Sequence, residues 1–176
     1  HASTLGADGV SDAPLDTRRE ANKVHIDRWI MDKLPPAMFA SARDFPGTVD
    51  RWQLITWTAP VHVVIDVGCA DVGTGAQDGD RTHGITIFSN HTITPETDGT
   101  CHYFWHHARN FRLDDAALTD RLAIAARTAF SEDVGLLAAQ QRSIDTAPEG
   151  WRQIDINADA GVLQARRVVD GILAAE

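Results

Sequence analysis

Five strand-like stretches followed by two helix-like ones constrain this chain more than any other feature of its sequence. Across 23–33, Val24, Ile26 and Ile30 alternate with His25, Asp27, Trp29 and Met31, the period-two pattern of a half-buried strand, which Pro35-Pro36 ends. Further strands are predicted over 51–57, 61–67, 84–94 and 100–109. Pro60, the Gly/Asp-rich stretch 73–79 and Thr97-Asp98-Gly99 separate them. A long helix is predicted from about 115 to 141, and a shorter one over 158–174 with Asn157 as its N-cap. Strands first and helices last predict an α+β fold, an antiparallel sheet with a long C-terminal helix packed across one face. Residues 1–22 are polar and rich in Gly, Asp and Ala, and read as a connecting segment.

Within the long helix, Asp133 sits in the string Phe130-Ser131-Glu132-Asp133-Val134-Gly135-Leu136-Leu137. At 100° per residue, Leu118, Leu122, Ala126, Ala129, Phe130, Leu136 and Leu137 fall around it. Glu132 instead falls beside Arg121 and Thr128 on the polar side. A carboxylate turned toward a core costs roughly several kcal/mol unless a cation, a metal or hydrogen-bond donors satisfy it. Asp133 therefore requires a partner, either a metal ion or a buried arginine such as Arg109.

The 176 residues, 43% of them hydrophobic, suit one domain with a real core. A formal charge of −9 argues against nucleic acid or an anionic membrane as partner. Cys69 and Cys101 are too few and too far apart for a disulfide framework or a CxxC site, so two free thiols in a reducing compartment are expected. The chain has no apolar run of membrane-spanning length and no signal-like start, which makes the cytoplasm the expected location. Glycine-rich phosphate loops and GxSxG elbows are absent, which removes several large enzyme classes.

Five of the eight histidines lie between His83 and His107. His91 shares strand parity with Ile85, Ile87 and Ile93, which turns it toward the apolar face as a cavity-lining group. His102 and His106 share a face with Phe104, and His107 shares the other with Cys101, Tyr103 and Trp105; the sequence does not rank these two sets. A metal held by Asp133 needs at least two more ligands, and His1, His83, His91 and His102 are all formally available.

Three strings together carry a resemblance: His91-Thr92-Ile93-Thr94-Pro95-Glu96-Thr97, then the run from His102 to Phe111 (HYFWHHARNF), then Phe130-Ser131-Glu132-Asp133 continuing to Gln140-Gln141. They resemble the C-terminal catalytic domain of Rieske non-haem iron oxygenases of the vanillate O-demethylase and dicamba monooxygenase type, along the whole chain from His1 to the last helix. The resemblance implies a helix-grip (START/Bet v1-like) domain covering 1–176. It also implies a mononuclear Fe(II) centre of two histidines and an aspartate, a facial triad with open positions for dioxygen. On that match Asp133 is the aspartate and His1, with the small residues after it, the second histidine. The first histidine would lie five residues before the chain begins. His91 matches a position that hydrogen-bonds an aromatic substrate, while Ile65 and Ile124 fall at or near other pocket positions.

The resemblance further implies a Rieske [2Fe-2S] cluster in an N-terminal domain that this sequence lacks, a separate NAD(P)H-dependent reductase, and a homotrimer. The reaction would be O2-dependent demethylation or hydroxylation of an aromatic acid or phenol, and the fragment alone is expected to be inactive. A second reading is a metal-free small-molecule-binding domain of the same architecture, with Asp133 paired to an arginine. A third, copper held by an N-terminal histidine, needs a β-sandwich and a signal peptide, and the long C-terminal helices argue against it.

Overall fold

The computed structural model describes residues 9, 10 and 12–175. Six strands, β1 (Leu15–Glu20), β2 (Lys23–Lys33), β3 (Val49–Thr58), β4 (His62–Asp71), β5 (Ile85–Thr97) and β6 (Thr100–Arg109), form one antiparallel sheet in chain order. A short helix, α1 (Ala37–Ala40), lies between β2 and β3. After β6 come α2 (Ala116–Asp145), a 3₁₀ turn over Asn157–Asp159, and α3 (Ala160–Leu173). This is the predicted meander with its helices last, with one strand more than the sequence suggested.

The extra strand, β1, lies in the stretch read as a connection. Its sequence, LDTRRE, has no apolar alternation because it is an edge strand exposed along most of its length, where charge discourages further strand addition. Ala21-Asn22 turns it directly into β2, with Ala21 at φ 49°, and Arg18 pairs with Asp27 across the hairpin.

Register assigns the faces. Val24, Ile26 and Ile30 of β2, Val67 and Cys69 of β4, and Ile85 and Ile87 of β5 share the inner face. Phe39 of α1, Phe111 and Leu118 close the core over Val49, Cys69, Ile85 and Ile87, with Leu122 packed against them. Asp115 caps α2 by accepting from the Leu118 amide at 2.8 Å. Arg109 fastens the β6–α2 corner by donating to the carbonyls of Phe111, Arg112 and Asp115 and to the Thr119 hydroxyl. α3 lies over β1 and β2, where Gly161 permits close approach: a Cβ there would stand 2.2 Å from Ile26 Cδ1.

Two details differ from expectation. Leu136 and Leu137, read as part of the apolar face around Asp133, are 70% and 58% exposed, because α2 buries only its first half. The α3 terminus is not capped by Asn157. The 3₁₀ turn precedes it, and Asp159 accepts from the Ile156 amide at 2.9 Å.

The outer face carries a second core built on Trp52, with Ala70 and Ala76 buried and Trp29 and Leu54 alongside. Asp66, 7% exposed, accepts from Trp52 Nε1 (2.8 Å), Thr86 Oγ1 (2.8 Å) and Arg81 Nη1 (2.5 Å), so this buried carboxylate is fully hydrogen-bonded. Among the described residues, no helix is long and apolar enough to cross a membrane.

Two outcomes follow. The Trp52 ring covers Gly68, where a Cβ would stand 2.3 Å from Cζ2 and 2.4 Å from the Ile85 carbonyl oxygen, so Gly68→Ala is expected to lower stability by about 1–3 kcal/mol in denaturant titration. Burial pushes the Cys69 thiol up to about 12, and Cys101 is exposed. Iodoacetamide at neutral pH is therefore expected to modify Cys101 and spare Cys69, read by peptide mass spectrometry.

Candidate functional site

Between the inner face and the first half of α2 lies a cavity of about 150 Å³. An apolar cavity of this size holds a benzene-sized ring. Ile65 and Val67 of β4, Ile87 of β5, and Leu122, Ala126 and Phe130 of α2 supply much of its wall. The polar lining comes from Arg51 and Gln53 on β3, Ser89 on β5 and His107 on β6, and none of the lining residues is an acid. Ile65, Ser89 and His107 stand in one cross-strand row. A second cavity of about the same volume lies beside the first, toward Trp105, Arg109 and Thr119, and Ile87, His107 and Leu122 contribute to both.

Behind Ser89 runs a chain of hydrogen bonds. Ser89 Oγ lies 2.7 Å from His91 Nε2, and His91 Nδ1 lies 2.5 Å from the Tyr103 hydroxyl. A neutral imidazole between two hydroxyls accepts from one and donates to the other. Burial holds the His91 pKa below its ordinary value of 6.5, and the nearby His107 and His106 lower it further. His107 is lowered by burial and then by His106. Tyr103 is raised by partial burial and by the negative charge of Asp133, so the chain reaches the neighbourhood of that carboxylate. Phe130 seats α2 on this strand pair with its ring edge-on to His91, Tyr103, Trp105 and His107, at centroid distances of 5.0 to 6.1 Å.

The residues singled out in the sequence meet different fates. Asp133 is half-buried, on the helix face of Ala129 and Phe130 and one turn beyond them, where α2 leaves the sheet. It is not paired to Arg109, whose donors serve the opposite end of α2. Ile65 lines the cavity. His91 faces inward at 5% exposure, but Ser89 and Tyr103 occupy both its ring nitrogens, and Ser89 and His107 line the cavity instead. Ile124 is 65% exposed on α2 and is not among the lining residues. His1 lies outside the described residues. His83 is exposed in the β4–β5 connection, and His102 is exposed on the outer face beside Glu96.

Arg51, Gln53 and Ser89 were not singled out from the sequence. The parity of Arg51 and Gln53 with Ile55 and Trp57 was a usable signal, had the inward face been known. Among the described residues, no group of three or more His, Cys, Asp or Glu side chains is placed to hold a metal ion. Asp133 is a carboxylate near the apolar chamber, and a carboxylate is a suitable ligand type for a non-haem metal.

A helix laid over one face of an antiparallel meander, with a ring-sized chamber between, defines an α+β helix-grip domain. The fold matches the crystal structure of dicamba monooxygenase bound to dicamba with a TM-score of 0.81, at 24% sequence identity, over 96% of this chain and 49% of that one. The chain belongs to the vanillate O-demethylase oxygenase C-terminal domain family, whose profile matches residues 1–175. It is 38% identical to a vanillate O-demethylase oxygenase subunit of Pseudomonas sp. (strain HR199 / DSM 7063), over all of this chain and 51% of that protein. It is 35% identical to a toluene-4-sulfonate monooxygenase system iron-sulfur subunit of Comamonas testosteroni, over all of this chain and 52% of that protein. The chain thus spans about half the length of the curated relatives it matches.

The two depressed histidines set a pH dependence. Below 6.5 the unfolded chain takes up protons that folded His91 and His107 refuse, so stability falls as pH drops from 6.5 toward their folded values and is unaffected by them above it. Thermal melts between pH 7.5 and 5 are expected to show a falling midpoint, with a shallower fall in His107→Gln than in the unsubstituted protein.

Proposed function

We propose that residues 1–176 are the single catalytic domain, substrate- and iron-binding, of the oxygenase component of an aromatic-compound monooxygenase. The observation that carries this reading is the ring-sized chamber with Asp133 one helical turn beyond two of its wall residues, Ala129 and Phe130. Family membership and relatives named as oxygenase subunits support the reaction class, O2-dependent oxidation of an aromatic acid or phenol. The whole protein would carry a Rieske [2Fe-2S] cluster in a further domain, receive electrons from NAD(P)H through a separate reductase, assemble as a homotrimer and work in the cytoplasm.

Asp133 and His1, with one more imidazole, would hold mononuclear Fe(II), which when bound supplies dioxygen activation. The remaining chemistry belongs to side chains described above. The apolar wall excludes water and places the ring by shape. Ser89 and His107 offer hydrogen bonds to a ring substituent, and His91 orients Ser89 through its bond to Tyr103. Because His91 and His107 stay neutral near pH 7, each can accept as well as donate. Oxidation of an O-methyl carbon yields a hemiacetal, which releases formaldehyde and a phenol.

The second reading is a non-catalytic, metal-free small-molecule-binding domain of the same helix-grip fold. One substitution separates the two. In the full-length protein supplied with reductase, Asp133→Ala is expected to remove the mononuclear iron, measured by metal analysis against unchanged acid-labile sulfide. Formaldehyde release from a methoxylated aromatic acid should fall about 100-fold or more. Unchanged iron content and turnover in this variant would refute the assignment.

A further inference from the structure

The second cavity, about 150 Å³, lies along the open edge of the sheet, between β6 and the first half of α2. β6 pairs with β5 alone, so among the described residues no strand continues the ladder beyond it. Trp105, His107 and Arg109 alternate along the inner face of β6, and Thr119, Leu122 and Ala123 meet them from α2. Exposure falls along the cavity. His107 and Thr119 are exposed, Trp105, Leu122 and Ala123 are half-buried, and Ile87 is 4% exposed. Ile87, His107 and Leu122 also line the chamber, so their side chains form the wall between the two spaces. The second cavity thus runs from solvent to the chamber wall.

The frame of this cavity is fixed at both ends, and its inner wall is not. At one end Arg109 is engaged at the β6–α2 corner, donating to three carbonyls and, at 2.9 Å, to Thr119 Oγ1. At the other, Phe130 holds α2 against Trp105 and His107, with centroids 5.0 and 6.1 Å apart. Among the described residues no hydrogen bond or ion pair holds the His107 ring, whose neighbours are the rings of Trp105 and Phe130, and Leu122 is held by apolar contact alone. Rotation of either side chain from one staggered well to another therefore breaks no hydrogen bond. Parting β6 from α2 breaks no ladder bond either, because that side of an edge strand carries none.

We propose that the second cavity is the passage by which a single-ring aromatic ligand enters the chamber. The ring first lies against Trp105 at the open edge, then moves inward as His107 and Leu122 rotate aside. The proposal rests on the reading of the neighbouring cavity as the chamber that holds the ring. The lining sets the class of molecule that passes. Trp105 offers an aromatic face for a flat ring to stack on, and a space of this volume admits one benzene-sized ring. No acid lines the passage and Arg109 is already engaged, so docking there uses ring contact rather than charge. Entry and exit share the path. A side chain that narrows it raises the barrier equally in both directions and leaves the free and bound states as they were.

The test is fluorine NMR exchange of 4-fluoroanisole with the full-length protein, which reads the rates of binding and release together with Kd. Ala123→Phe puts a ring into the passage from α2, and is expected to slow binding and release alike by about 10-fold, with Kd within about twofold. Ala125→Leu narrows the chamber and not the passage, and should instead raise Kd roughly 10-fold, chiefly through faster release. Should Ala123→Phe fail to fold by circular dichroism, Ala123→Leu serves in its place, with both rates slowed about threefold. Exchange at the unsubstituted rates in the Ala123 variant overturns the passage. A raised Kd at an unchanged binding rate overturns it too, by making the cavity part of the bound ligand's site, and so does failure of 4-fluoroanisole to bind the unsubstituted protein. Equal slowing of entry and exit, without formaldehyde release from a methoxylated aromatic acid in the presence of reductase, keeps the passage and overturns the oxygenase reading. Formaldehyde release with exchange rates unchanged in the Ala123 variant does the reverse.

Discussion

Every feature of the chamber depends on the register of β3 to β6. In an antiparallel ladder, residues opposite one another share a face, so a single pairing such as Ile65 with Ser89 commits whole rows. That pairing aligns Ile65, Ser89 and His107, and the next inner row aligns Gln53, Val67, Ile87 and Arg109. A slip of one residue would send Arg51, Gln53, Ser89 and His107 to the outer surface and bring Trp52 and Asp66 inward. The outer-face clasp guards against such a slip. Trp52 fits only over Gly68, and Asp66 is satisfied only when Trp52, Thr86 and Arg81 converge on it.

The helix completes the chamber by leaving part of the inner face uncovered. At its start, Leu118 is fully buried and packs against the core of Phe39, Ile85 and Ile87. Further along, the small side chains of Ala125, Ala126 and Ala129 stand where larger ones would fill the space, and the cavity opens beneath them. Phe130 then restores contact by bridging to the aromatic residues of β5 and β6. Beyond it α2 runs clear of the sheet, and Asp133 falls at the transition, half-buried beside a polar chain. The polar groups of the lining stand at two ends of the space, Ser89 and His107 on β5 and β6 and Arg51 and Gln53 on β3.

Much of this was legible without coordinates. Strands β2 to β6 and both long helices were readable because alternation and turn residues are local signals, and the three strings carrying the family resemblance pointed to the family that the profile match identifies. β1 was not readable, since an exposed, charged edge strand has no apolar rhythm. The contrast between Asp133 and Glu132 followed from helical geometry and survives in their burial, half-buried against exposed. The depth of that burial did not follow, because periodicity says which residues share a face and not how far the covering sheet extends. Leu136 and Leu137 show this, being on the expected stripe and yet in the open.

The sequence by itself determined the order and type of the elements, the parity that groups His91 with Ile85 and Ile87, and the family to which the chain belongs, because each is written in local spacing. Only the tertiary structure decided which of the two histidine sets on β6 faces inward, that both nitrogens of His91 are already engaged, that Arg109 serves the corner rather than Asp133, and that Ile124 turns away from the cavity. Those outcomes depend on which strand lies opposite which and where a helix leaves a sheet. Both are properties of contacts between residues far apart in the chain, and no single stretch of sequence contains them.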